Sequence, residues 1–171
     1  IGQAGCRIAK RFDNFPQYST FFVDVENKDN YESFFKVPVQ TSHEEYEENY
    51  EPFDFDIDGE TTIILAGTGK ISGIILRLLQ QLKDKKLNIL YIRSDLSTAS
   101  EKEILRDRVV FGVLQQYARS NLLSQLYIVS NASVESALEK ISIPTYWQDI
   151  NNVIISTCLL YTSPSPRDRT R

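Results

Sequence analysis

Two near-continuous apolar runs, TTIILAG (61–67) and LNILYIR (87–93), flank a stretch in which Ile71, Ile74, Ile75, Leu78, Leu79 and Leu82 recur at helical spacing. A strand that is apolar at successive positions is buried on both faces, the condition of a strand inside a parallel sheet. Strand, helix and strand in this order form a crossover unit, with the helix packed on one face of the sheet. No other feature constrains the fold class as strongly, and it points to α/β.

The alternation extends in both directions. The first residues read as the end of a strand entering a turn, and 5–12 as a short helix with Ile8 and Phe12 four apart on one face. TFFVDVE (20–26) and SFFKVPV (33–39) are rich in β-branched and aromatic residues, as strands are. A long amphipathic helix is expected at 100–119, with Ile104, Val109, Val113 and Leu114 among its apolar positions. QLYIVSN (125–131) reads as a further strand and 133–140 as a short helix. The expected architecture is a three-layer, Rossmann-like sheet, mostly parallel, with helices on both faces. In such sheets ligands sit beyond the carboxyl ends of the strands.

At 171 residues and 42% hydrophobic, the chain suits one soluble domain with a real core. No apolar run approaches the roughly 20 residues of a membrane helix, and no signal-peptide pattern opens the chain. The expectation is therefore no membrane span and a cytoplasmic location. A formal charge of −4 weighs against nucleic acid as a partner. Cys6 and Cys158 form no metal-ligand spacing and suggest a reducing compartment. The chain lacks Met, and 1–157 is expected to be a domain incomplete at both ends. CLLYTSPSPRD (158–168) resembles an out-of-frame translation of a transposon-based sequencing adapter, so 158–171 is expected to be a non-native tail.

The chemistry lies at the strand ends. GQAG (2–5) leads into a helix: its glycines allow close backbone approach, and the free N–H groups of a helix start favour an anion. An ordinary strand–helix turn has the same appearance. VDVE (23–26) offers Asp24 and Glu26, about twenty residues after a glycine turn, where an acid can hold a ribose hydroxyl or simply be solvated. LAGTGKISG (65–73) is glycine-rich and carries a lysine, yet it is not a Walker loop. Gly69-Lys70 is followed by Ile71 rather than Ser or Thr, and no glycine stands five before Gly69. A dinucleotide site needs one glycine fingerprint, on the first strand. Two glycine turns on two strands suggest a nucleotide gripped from two sides.

GQAGCRIAKRF (2–12) resembles the first nucleotide loop of tubulins, G-Q-x-G-x-x-I. AGTGKISG (66–73) resembles the tubulin/FtsZ signature G-G-G-T-G-[ST]-G, keeping Gly67-Thr68-Gly69. VDVE is similar to the V-D-L-E of tubulins, at the shorter distance found in FtsZ, and IPTYWQDINNVIIST (143–157) is similar to P-T-Y-x-D-L-N-x-L-V-S at the start of their central helix. The four stretches follow the family's order over almost all of 1–157. The resemblance implies the nucleotide-binding domain of a tubulin/FtsZ-superfamily protein, binding GTP or GDP with Mg2+. Its full-length parent would hydrolyse GTP while polymerising head to tail into filaments with a cytoskeletal, division or partitioning role.

By that resemblance Gly2, Gln3, Ala4, Gly5 and Cys6 line the phosphates through backbone amides and the Gln3 side chain. Gly67, Thr68 and Gly69 cradle the β- and γ-phosphates. Lys70 replaces the family's Ser/Thr, either adding a charge to the phosphates or standing in solvent. Trp147 and Asn151, four apart on a predicted helix, make a guanine-reading pair of stacking ring and amide. Tyr146 is the competing ring, because one extra residue precedes DIN. Asn131 matches a second base contact or is a turn residue; Asp95 and Glu101 fall where the family holds ribose, or open the next helix.

Two departures stand out. The segment TSHEEYEENYEPFDFDIDG (41–59) carries a run of carboxylates that repel phosphate unless a cation intervenes. It reads as a solvated acidic loop and an attractive surface for a protein partner, with His43 exposed and inert. In the family the hydrolytic acid follows the central helix and acts on the next subunit's GTP; no residue here is expected to be catalytic. Two further readings are a non-hydrolysing structural relative, and a dinucleotide-binding domain using GQAG and Asp24.

Overall fold

The computed structural model describes residues 1–130, 133 and 152–156, and among them every strand pairing is parallel. The chain divides into two units, Ile1–Ser130 and Asn131–Arg171. In the second unit the described stretch 152–156 is helical. The first unit runs α1 (Gly2–Ala9), β1 (Phe22–Asp24), β2 (Phe34–Lys36), α2 (His43–Glu48), β3 (Glu60–Ala66), α3 (Ile75–Gln81), β4 (Lys86–Arg93), α4 (Glu101–Arg119) and β5 (Gln125–Ser130).

The sheet order is β3-β4-β5, with Ile63 opposite Ile89 and Leu65 opposite Tyr91. Ile63, Leu65, Leu87, Ile89 and Tyr91 share one core cluster with Leu78 and Leu79 of α3 and Val110 and Leu114 of α4. The intervening Ile64, Leu90 and Ile92 are also buried, so β3 and β4 are covered on both faces, as their composition requires. Among the described residues the single sheet expected from the sequence is divided in two, because β1 pairs only with β2. A main-chain carbonyl of β3, that of Ile64, is taken instead by the amino nitrogen of Ile1 (2.8 Å).

Two helices depart from the expected pattern. The segment preceding α3, Lys70–Ile74, winds as a 3₁₀ turn. Ser72 bonds back to the preceding loop, and Gly73 lies so close to the His43 carbonyl that any side chain there would overlap it. Helix α4 starts where expected, closed by a reciprocal Ser100–Glu103 capping box. Its buried face, however, is Asp107, Val110 and Leu114, whereas Val109 is 48% exposed. A carboxylate, Asp107, thus stands in the core beside Val110 and Leu114.

The acidic segment is more ordered than a solvated loop. Ser42 caps α2, and the Glu45 carboxylate accepts from both the N–H and the hydroxyl of Thr41 (2.8 Å each). Beyond α2 the chain alternates: Phe53, Phe55 and Ile57 pack on the core while Asp54, Asp56 and Asp58 are exposed. The Gln81 side chain bonds both the N–H and the carbonyl of Phe53, and Lys85 donates to the Ile57 carbonyl (2.8 Å). Segment 53–57 is thus an extended strap with strand-like alternation, its acids turned outward.

His43 is half-buried rather than exposed, and its Nε2 has no hydrogen-bond partner among the described residues. Burial lowers its pKa and the Arg106 charge lowers it further, against the opposing pull of Glu44 and Glu47. A folded-state pKa below the unfolded value of about 6.5 leaves stability intact above that value. Stability is lost as pH falls through it toward the folded pKa. Denaturation from pH 7 to pH 5 should therefore show the wild-type chain losing stability relative to His43→Gln. Parallel pH profiles for the two chains would contradict this.

Candidate functional site

Strand β3 ends at Ala66, and the Gly67-Thr68-Gly69 turn leaves its carboxyl end. The Ser72 hydroxyl lies 3.0 Å from the Gly67 carbonyl and 2.6 Å from that of Gly69, which also accepts from the Ser72 N–H (3.2 Å). In a trans peptide the carbonyl and the following N–H point in opposite directions. With both carbonyls drawn toward Ser72, the N–H groups of Thr68 and Lys70 point away from it. Neither they nor the Gly69 N–H has a hydrogen-bond partner among the described residues. Successive unsatisfied amides of this kind form an anion-binding nest.

The second glycine turn lies beside the first. Gly2 opens α1 at φ +67°, a conformation that favours glycine, and a Cβ there would stand 3.1 Å from Cγ2 of Ile71. The first-turn N–H groups of α1, at Gly2, Gln3 and Ala4, have no acceptor within the helix. Gln3 and Ala4 are exposed while Gly5 and Cys6 are buried. Gly5 is required for packing: a side chain would overlap the Ile64 carbonyl of β3. The Cys6 thiol faces the Val23 carbonyl (3.7 Å), and burial above all raises its pKa, so it is a protonated packing group.

Flanking α1 is a cleft of about 180 Å³ that brings Gln3 and Cys6 together with Asp24, Glu26 and Asp29. One Asp24 oxygen accepts from the Val25 N–H (2.8 Å), Glu26 pairs with Lys28 (3.6 Å), and the Tyr31 hydroxyl donates to Asp29 (2.9 Å). The other side of the glycine turn meets the end of β4, where the Thr68 hydroxyl approaches that of Ser94 (3.4 Å).

Behind the turn is a buried polar group that sequence reasoning missed. Asp107 of α4 is fully buried; its carboxylate accepts from the Tyr91 hydroxyl (2.7 Å) and from Arg93 (3.0 Å). Arg93 in turn lies over the Phe111 ring, 4.7 Å from its centroid. Burial first, then the Asp107 hydrogen bond, raises the Tyr91 pKa well above its ordinary value, so the phenol stays a donor. The available signal was positional: Asp107, Val110 and Leu114 lie three and four apart on one helical face.

The remaining expected site residues fare differently. Lys70 is exposed and in no ion pair among the described residues. Asp95 closes its own turn, accepting from the Ser97 N–H (2.9 Å), a bond that lowers its pKa. Glu101 is the first residue of α4 and exposed, a placement that suits the helix start. Asn131, Tyr146, Trp147 and Asn151 lie outside the described residues. Among the described residues no three His, Cys, Asp or Glu side chains group to hold a metal ion, and no helix is long and apolar enough to cross a membrane. Compared with known proteins, the chain matches no family model, no curated protein and no solved structure.

Proposed function

We propose that the chain binds the phosphates of a nucleotide between its two glycine turns, with GTP or GDP as the ligand. The observation that carries this reading is that the Thr68, Gly69 and Lys70 amides have no hydrogen-bond partner among the described residues, with Gly2 at the α1 start packed against Ile71 beside them. A diphosphate is a match for two adjacent sets of unsatisfied donors, and both lie at the carboxyl end of a parallel sheet. The guanine preference rests on the tubulin/FtsZ-like motifs, as do the three-layer Rossmann-like arrangement, Mg2+ and filament formation by the full-length parent. A phosphate-bound Mg2+ needs only one or two carboxylates, and Asp24 beside Gln3 offers one.

The cleft supports a second reading, a dinucleotide site, because Asp24 and Glu26 stand beside Gln3 where a ribose hydroxyl could be held. Gly69→Val tests the first reading. Gly69 has φ −74° and ψ 146°, and a Cβ there meets nothing closer than 3.9 Å, so valine is accommodated while crowding the mouth of the nest. GTP with Mg2+ should raise the melting temperature of the wild-type chain and not that of Gly69→Val. Equal protection of both chains, or protection by NAD(H) instead of GTP, would overturn the guanine-nucleotide assignment.

A further inference from the structure

We infer that Tyr91 and Asp107 form a buried latch that sets the shape of the Gly67–Gly69 turn from behind. Any side chain at Gly67 would overlap the Tyr91 hydroxyl, and its Cβ would stand 2.8 Å from Tyr91 Cζ and 3.1 Å from Asp107 Oδ1. The hydroxyl is fixed in that place. Its partner Asp107 comes from α4 and uses its second carboxylate oxygen for Arg93, which is held in turn over Phe111. Phe111 also stacks on Tyr91, with ring centroids 5.7 Å apart. The phenol therefore has no alternative position, and Gly67 is confined between it and Ser72, which binds its carbonyl.

Tyr91 and Asp107 are positioning residues: both are buried, and they act on the nest through Gly67. Only the expected effect on GTP affinity rests on the nucleotide reading; the control of turn shape stands on the contacts alone. Tyr91→Phe removes the hydroxyl and leaves Asp107 paired with Arg93.

Amide hydrogen exchange in the free protein provides the first readout. In Tyr91→Phe the Ser72 amide, bonded to the Gly69 carbonyl, should exchange about two- to tenfold faster relative to Leu90 in β4, the range of one hydrogen bond. GTP affinity should fall by a similar factor. A double-mutant cycle gives an independent measure: Gly67→Ala should be less damaging in a Tyr91→Leu background than in the wild-type chain. Equal acceleration at Ser72 and Leu90, together with additive effects in the cycle, would overturn the latch. If Gly69→Val abolishes GTP binding while Tyr91→Phe changes neither exchange nor affinity, the latch falls and the nucleotide site stands. If the wild-type chain does not bind GTP but Ser72 responds as expected, the latch stands and the nucleotide reading falls.

Discussion

Gly67→Ala should destabilise the chain by roughly 3–5 kcal/mol, a sum of overpacking and a broken buried hydrogen bond. The new methyl has nowhere to go. It would stand 2.8 Å from Tyr91 Cζ and 3.1 Å from Asp107 Oδ1, and would overlap the phenol oxygen between them. The ring cannot retreat, being stacked on Phe111 and fully buried. Either the hydroxyl leaves Asp107, or β3 and β4 part at their carboxyl ends, and both displace the turn. A loss of this size is a large fraction of the 5–15 kcal/mol typical of a domain. Gly112 is the internal control. It lies inside α4 with nothing within 4 Å of a prospective Cβ, so Gly112→Ala should stabilise by about 0.4–1 kcal/mol. Urea denaturation of the two variants should thus give shifts of opposite sign. A Gly67→Ala midpoint equal to that of the wild-type chain would contradict the close approach.

Asp107→Ala should cost about 3–5 kcal/mol, the usual consequence of deleting one partner of a buried ion pair. The loss has three parts. A cavity opens in the core cluster, the Tyr91 hydroxyl is left buried without its acceptor, and Arg93 loses the carboxylate that holds it. Arg93 is 34% exposed and can recover some hydration, whereas Tyr91 is wholly buried and cannot. Asp107→Asn keeps the shape and an acceptor for Tyr91, and should cost less than the alanine variant. Midpoints in urea would rank them; an alanine variant no less stable than the asparagine one would contradict the assignment.

Strands β3 and β4 were legible because burial on both faces leaves unbroken apolar runs, whereas β5, with no fully buried residue, was legible from its Tyr, Ile and Val content. The two glycine turns were legible because glycine at a strand–helix junction marks close backbone approach. What the turns use to hold their shape was not. Ser72 stands one residue beyond the position a Walker loop would demand, and its hydroxyl turns inward to loop carbonyls. Asp107 was hidden because a charged residue in an amphipathic helix is normally assigned to the solvent face. Its neighbours Val110 and Leu114 identify the buried side only once Val109 is known to point outward. In the strap, net charge drew attention from period: Phe53, Phe55 and Ile57 alternate with aspartates as in a half-buried strand, but their chain is held by Gln81 and Lys85 instead of a neighbouring strand. The half-burial of His43 is hidden in the same way, since an acidic neighbourhood says nothing about the helix packing that covers it.

The two glycine turns are proposed to receive phosphate together. An isotope-labelled chain titrated with GTP and Mg2+, followed by backbone amide resonances, tests it directly. The expected result is that Gln3, Ala4, Thr68 and Lys70 shift together along one binding curve, while NAD(H) at the same concentrations leaves them in place. Saturating GTP that leaves these four amides unmoved would contradict it.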